Sequence, residues 1–326
     1  MKFNKHALIV AIAAGVTAMA AQATEFRSAD IHPDDYPTVT AVKFMSERLK
    51  ALSGGKHTIK VFNNSALGQE KDTIEQTKIG ALSMVRVNIA PMNNICPETQ
   101  VPTMPFLFRS VDHLHKVLDG PIGEEILKSC EKQGFIGLAY YDSGARSMFT
   151  AKKPVRSFAD MKGQKVRVQA TKTEDTLFPA YGAQTVHMPF GDVYTSLQTG
   201  VVNVAENGVN VYLANKHYEV APILSMTEHE ANNNCLWISD KTWNSLTPEQ
   251  QKWVQAAADE VAKKEPAMAL KLEKDSAEKL KSMGVKVVEG VDKTGFMKAA
   301  QPVQDQLATE LGPHAVKLLK LVRDLN

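Results

Sequence analysis

The chain is short of the features that would commit it to chemistry of its own. Of its 326 residues only three are cysteines, Cys96, Cys130 and Cys235, and none lies in a C-x-x-C arrangement. That excludes a zinc ribbon, a thioredoxin-type redox motif and a disulfide-dense scaffold. An exported chain holds at most one bridge among three cysteines. Their spacing leaves open whether any pair is joined, and they read as buried thiols without a redox or metal role. Also missing are GxSxG, HExxH, a Gly-rich phosphate loop and GxGxxG, so no cofactor, metal or catalytic step is expected. Excess charge is lacking too. The formal charge is +2, and residues 1–23 contribute Lys2 and Lys5 with no acid; without them 36 basic and 36 acidic residues remain. A neutral chain has no broad electrostatic attraction for nucleic acid or an anionic membrane.

Long apolar runs are confined to the start. Residues 1–23 read as a cleaved secretory signal: Lys2 and Lys5, the run beginning at Ala7–Ala14, then Ala21-Gln22-Ala23 as a small-x-small cleavage site. Beyond them no stretch approaches the roughly 18 apolar residues of a membrane span. The remainder of the chain alternates strands and helices, which places it in the α/β class. FRSADI reads as a strand, and the HPDDYP loop leads into a helix carrying Val39, Val42, Met45 and Leu49 near a 3.6-residue period. HTIKVF is the next strand. SMVRVNIA is another, with Arg86 and Asn88 alternating against Val85 and Val87. From Pro154 the pattern restarts, and NNNCLWIS reads as a return to the first domain. Residues 248–283 form the longest helical pattern. Thr247 and Gln250 make its capping box, and Pro266 is expected to kink a rod of roughly 50 Å that crosses both domains.

Anion recognition is the chemistry best supported. In KVRVQ, Val166 and Val168 face one way and Arg167 the other. A buried arginine keeps its charge and needs a partner, and its planar fork matches a carboxylate. On the strand alone, a structural ion pair and a ligand clamp both remain open. His113 and His115 are expected on different faces of a helix. His229 between Glu228 and Glu230 reads as structural, with a metal site the lesser alternative.

LGQE, IGAL, MPFLF, DMKGQKVRV, MPFGDVYTSLQTGVVN and AEN together resemble the DctP-type periplasmic receptors of tripartite ATP-independent (TRAP) transporters, in collinear order over nearly the whole mature chain. The resemblance implies a periplasmic-binding-protein-like fold of two α/β domains with a cleft between them. It places residues 24–144 and about 231–272 in one domain, and 145–230 and about 273–326 in the other. It implies a periplasmic monomer, closure on an organic acid, delivery to a small and a large integral membrane subunit, and no enzymatic activity. By position, Arg167 matches the carboxylate-pairing arginine, Arg146 a second cationic contact, and Asn207 the asparagine that completes the carboxylate site. Glu70 and Asn88 match selectivity positions, and His32 and Asp34 lie in a loop facing the cleft. Asn203-Val204 stands where the family often has Asp-Gly, and Gly208-Val209-Asn210 where bulky residues often come after AEN. SADIHPDDYPTV, VLDGPIGEEIL and AYYDSGARS resemble the subgroup binding D-glucuronate and D-galacturonate. A uronate offers one carboxylate to Arg167 and hydroxyls to His32, Glu70, Arg86 and Asn88. Arg86 is the discriminating residue: an anchor for a second carboxylate, or the partner of a domain ion pair. Aldonates, C4-dicarboxylates and keto acids are the alternative ligands, and a periplasmic sugar-acid enzyme the alternative of another class.

Overall fold

Strand-length apolar runs alternate with helices stopped by glycine from Thr24 onward, and the computed structural model describes residues 24–325. The expected secretory signal, residues 1–23, lies outside the described residues. The first stretch runs β1 (Thr24–Ala29), α1 (Pro37–Leu52), β2 (His57–Phe62), α2 (Glu70–Lys78), β3 (Met84–Asn88), α3 (Val111–Leu118), α4 (Pro121–Ser129) and β4 (Phe135–Tyr141). The second runs β5 (Ala145–Thr150), β6 (Lys165–Val168), α5 (Lys172–Ala180), β7 (Gln184–His187), α6 (Val193–Gln198), β8 (Val204–Gly208), α7 (Val209–Ala214) and β9 (Ile223–Ala231). The chain finishes with β10 (Asn234–Ser239), α8 (Asp240–Asn244), α9 (Pro248–Ala262), α10 (Glu265–Ser282), β11 (Lys286–Val288), α11 (Thr294–Leu311) and α12 (Pro313–Asp324).

Two sheets result. The first is ordered β2-β1-β3-β10-β4 and the second β11-β9-β5-β8-β6-β7. β1 pairs parallel with β2 and β3, and β6 pairs parallel with β7 and β8. Each sheet also takes one antiparallel strand from a crossing of the chain: β10 in the first, beside β3 and β4, and β5 in the second, beside β8 and β9. The NNNCLWIS segment therefore does return to the first sheet. Two short crossings join the sheets, Asp142–Gly144 between β4 and β5 and Asn232-Asn233 between β9 and β10. Gly144 has φ +77°, and a Cβ there would lie 2.6 Å from the Glu273 carboxyl group, so the turn requires glycine.

The helical period seen in the sequence maps onto burial. Val39, Val42, Met45 and Leu49 of α1 are fully buried. Val42, Met45 and Leu49 pack with Val254, Ala257 and Val261 of α9 on one face of the first sheet. Phe149, Leu197, Ala205, Tyr212 and Leu224 form the matching core of the second. A third core joins Trp237 and Cys235 to Met104, Leu118, Phe296 and Leu318, so α11 and α12 seal the side where the two sheets meet. Cys96 and Cys130 form a disulfide and Cys235 is a buried free thiol. His113 is buried with its Nε2 3.0 Å from the Val322 carbonyl, whereas His115 is partly exposed beside Asp119; the two face apart, as their spacing requires.

The long helical pattern is not one kinked rod. It is broken at Lys263-Lys264, and Pro266 sits in the first turn of α10. Proline lacks the N–H of an interior helical position and its ring clashes with the preceding turn, so it starts a helix more readily than it bends one. The break lets α9 lie on α1 and β4 while α10 turns against α7 and β11.

Candidate functional site

The parallel strands of both sheets point their C-terminal ends at one crevice, the position where α/β folds present ligand-binding groups. β1 delivers Ile31 and His32, β3 delivers Asn88, β6 delivers Arg167 and Gln169, and β8 delivers Asn207. With Glu70, Arg146, Phe190, Asn232 and Asn234 they line one narrow cavity between the two sheets. The structure thus brings together His32, Glu70, Asn88, Arg146, Arg167 and Asn207. It leaves out Arg86, which lies behind the lining, and Asp34, which pairs with Lys43 at the surface.

Val166 and Val168 are fully buried in the core, which turns Arg167 the opposite way, and the whole residue is only 4% exposed. Its Nη2 donates to the Met188 carbonyl at 3.0 Å, while its buried Nε has no partner. Burial pushes its pKa down, against the pull of the Glu206 and Glu174 carboxylates. A guanidinium desolvated without a bidentate partner is destabilised, and a bound carboxylate relieves that. Arg146 is different. Its Nε and Nη2 fork onto Glu206, and Nη1 donates to Asn232 Oδ1 at 2.9 Å. Burial alone would lower its pKa, but Glu206 holds it above the usual range. Burial likewise works to raise Glu206, yet Arg146 and His229 outweigh it and bring the carboxyl to about 2. Arg146 therefore arrives already neutralised, and among the described residues that line the cavity Arg167 is the arginine left to a ligand.

Arg86 is neutralised in the same manner. It forks onto Asp30, with Nε to Oδ2 at 2.7 Å, and donates through Nη1 to Asn234 Oδ1 at 2.7 Å. Of the roles open from sequence, a donor to ligand hydroxyls, an anchor for a second carboxylate or a domain ion pair, the structure shows the ion pair. His32 stacks on Tyr36 with ring centroids 4.0 Å apart and meets the edge of Phe190. Burial, then the Arg86 charge, lower its pKa to about 3, so the ring is neutral, and its Nδ1 has no partner. Glu70 Oε1 accepts from the Asn88 amide at 2.9 Å; burial raises its pKa. The Asn207 carboxamide oxygen accepts from Gly208 N and from Asn232 Nδ2.

Sequence reasoning missed Ile31, Gln169, Phe190, Asn232 and Asn234. Gln169 was legible, being two residues past Arg167 on the same strand face, and its Oε1 is buried without a partner. Asn232 and Asn234 begin the NNNCLWIS segment, whose return to the first sheet was legible, but that their side chains enter the cavity depends on where the two crossings come together. His229 is buried with Nε2 3.6 Å from Glu206 Oε2, in a structural setting. Among the described residues no group of three His, Cys, Asp or Glu side chains is placed to hold a metal ion, and no helix is long and apolar enough to cross a membrane.

Residues 28–310 match the protein family described as DctP, bacterial extracellular solute-binding protein, family 7. A TRAP periplasmic solute-binding protein from Bradyrhizobium sp. btai1, solved in complex with α/β-D-galacturonate, is 46% identical, with TM-score 0.88 over 93% of this chain and 100% of that one. One from Pseudomonas putida F1 with bound D-glucuronate is 37% identical, with TM-score 0.89 over 93% and 98%. The 2,3-diketo-L-gulonate-binding periplasmic protein YiaO of Escherichia coli is 29% identical over 98% of each chain.

Proposed function

The chain belongs to the DctP-type bacterial extracellular solute-binding proteins, family 7, and from that premise we propose that it captures a hexuronate, D-galacturonate or D-glucuronate, in the periplasm. It is a solute receptor of the TRAP type, with no catalytic step in this reading. The observation that carries the ligand class is Arg167: a buried guanidinium with an unpaired Nε at a cavity whose other arginine among the described residues, Arg146, is already neutralised. One free cation suits one carboxylate. The unpartnered Nδ1 of neutral His32 and Oε1 of Gln169 suit hydroxyls. A dicarboxylate would need a second free cation, which Arg86, tied to Asp30, does not supply.

In this reading Arg167 pairs with the carboxylate, Asn207 and Arg146 complete its shell, and His32, Glu70 and Asn88 read the hydroxylated face. Residues 24–144 with about 231–272 close against 145–230 with about 273–326, because the ligand touches both and so favours the closed arrangement. The closed monomer is then handed to a small and a large membrane subunit. Thermal-shift screening of the mature protein against uronates, aldonates, C4-dicarboxylates and keto acids tests the assignment. The largest stabilisation is expected from uronates; stabilisation by another class with none from uronates would replace it. The YiaO relative makes a keto sugar acid the second reading.

A further inference from the structure

Asn232 stands at the crossing from β9 to β10 and is 3% exposed. Its carboxamide reaches into both halves of the cavity. Oδ1 accepts from Asn88 Nδ2 of the first sheet at 2.6 Å and from Arg146 Nη1 of the second at 2.9 Å. Nδ2 donates to Asn207 Oδ1 at 3.1 Å. The residue's backbone is fixed as well: its N–H donates to the Gly144 carbonyl on the other crossing, and its carbonyl accepts from Asn234 Nδ2. Gly208 closes over the amide, since a Cβ there would lie 3.2 Å from Asn232 Nδ2 and 2.5 Å from the Ser143 carbonyl.

We propose that Asn232 is a positioning residue that aims the Asn207 amide at the ligand carboxylate and ties that aim to Asn88 across the cleft. An asparagine side chain has one acceptor end and one donor end. Asn207 spends its acceptor end on two N–H groups, those of Gly208 and Asn232, so its NH2 is the end left for the cavity. A carboxylate accepts and cannot donate, so this is the orientation it requires. Without Asn232 Nδ2, the Asn207 amide loses one of the two contacts that set its direction. The same carboxamide holds Asn88, whose backbone N–H in turn donates to Glu70. A chain of hydrogen bonds thus runs from Glu70 through Asn88 and Asn232 to Arg146 and Asn207, and such networks act as units more than as pairs.

This inference rests on the reading that Arg167, Arg146 and Asn207 hold a carboxylate. Calorimetry with D-galacturonate on wild type, Asn207→Ala, Asn232→Ala and the double variant tests it. Each single change is expected to lower affinity roughly tenfold to a hundredfold. The double variant is expected within about threefold of Asn207→Ala alone, because a positioning residue has nothing left to position. Losses that multiply, or wild-type affinity in a natively folded Asn232→Ala protein, overturn the proposal. Asn232→Asp serves if the alanine variant fails to fold: it keeps the acceptor for Asn88 and Arg146 but turns a second acceptor on Asn207, and the same non-additivity is expected. A ligand-free arm separates this proposal from the ligand reading. The Asn207 side-chain amide signal in 1H–15N spectra is expected to shift in Asn232→Asp, and an unmoved signal overturns the positioning role. If the wild type binds no uronate, the ligand reading fails and this spectrum alone decides the role of Asn232.

Discussion

Arginine chemistry at the site is a matter of which cation is already spoken for. Arg86 and Arg146 are each 1% exposed and each forked onto a carboxylate, whereas Arg167 holds one backbone carbonyl. Removing a partner from a forked buried pair strands a charge, whereas Arg167 is forked onto no carboxylate and its removal breaks no such pair. Arg167→Ala is therefore expected to lower uronate affinity at least a hundredfold while leaving the melting temperature of the ligand-free protein unchanged or higher. Arg146→Ala is expected to unfold the protein at markedly lower temperature, because it strands Glu206. Thermal melts with parallel titrations check both, and a destabilised Arg167→Ala protein would show that the arginine is structural. Arg167 was legible from KVRVQ because a period of two on a short apolar strand leaves no other face for it. The pairing of Arg86 with Asp30 was not legible, because the partners are 56 residues apart in the chain and meet only through the parallel pairing of β1 and β3. The hydrogen-bonding role of Asn232 was hidden for the same reason: it depends on where two crossings come together.

At the scale of elements, the joint between α9 and α10 is the feature that sequence reading got half right. Pro266 marked the place, and the capping box at Thr247 marked the start of α9. The chain breaks there, and does not merely bend, because of what the joint grips. Glu265 is fully buried and accepts from the Asp142 amide at 2.8 Å, pinning the start of α10 to the β4–β5 crossing. Burial, only partly offset by that hydrogen bond, raises the Glu265 pKa to about 8. The folded protein thus keeps a proton that the unfolded chain releases near pH 4.5. The associated stability is present below about pH 4.5 and is lost as pH rises towards 8. Glu265→Gln keeps an acceptor without the titration. Its melting temperature is expected to gain on wild type across that window, by roughly 5 °C at about pH 8, and to show no such gain at about pH 4; a constant difference would contradict the burial account. The Cys96–Cys130 bridge closes a 34-residue separation and joins the segment beneath α12 to the end of α4. Reduction is expected to cost about 2–4 kcal/mol of stability, read as a lower denaturation midpoint in dithiothreitol. Cys235, fully buried, is expected to react with thiol reagents only on unfolding.

The whole molecule is two sheets facing a shared cavity, with contacts that cross it. Asn94 Nδ2 donates to the Ala170 carbonyl at 2.9 Å, and His32 meets Phe190 edge-on. Tyr36 and Val39 pack against Val211. In the proposed closure these contacts hold the two halves together, and a ligand bridging the halves adds to them. Addition of D-galacturonate is therefore expected to reduce the radius of gyration in small-angle scattering, and Arg167→Ala is expected to abolish the change. The α/β class and the return of the chain to its first sheet could be read from strand and helix order. The way α11 and α12 seal the side where the sheets meet could not, since it depends on long-range packing of Phe296 and Leu318 against Met104 and Leu118. The most direct test of the central claim is calorimetry of the mature protein with D-galacturonate and D-glucuronate, wild type beside Arg167→Ala. The expected result is saturable one-to-one binding of at least one uronate with micromolar or tighter affinity, lost in the variant. Undiminished uronate binding by a folded Arg167→Ala protein, or no uronate binding by the wild type, would contradict it.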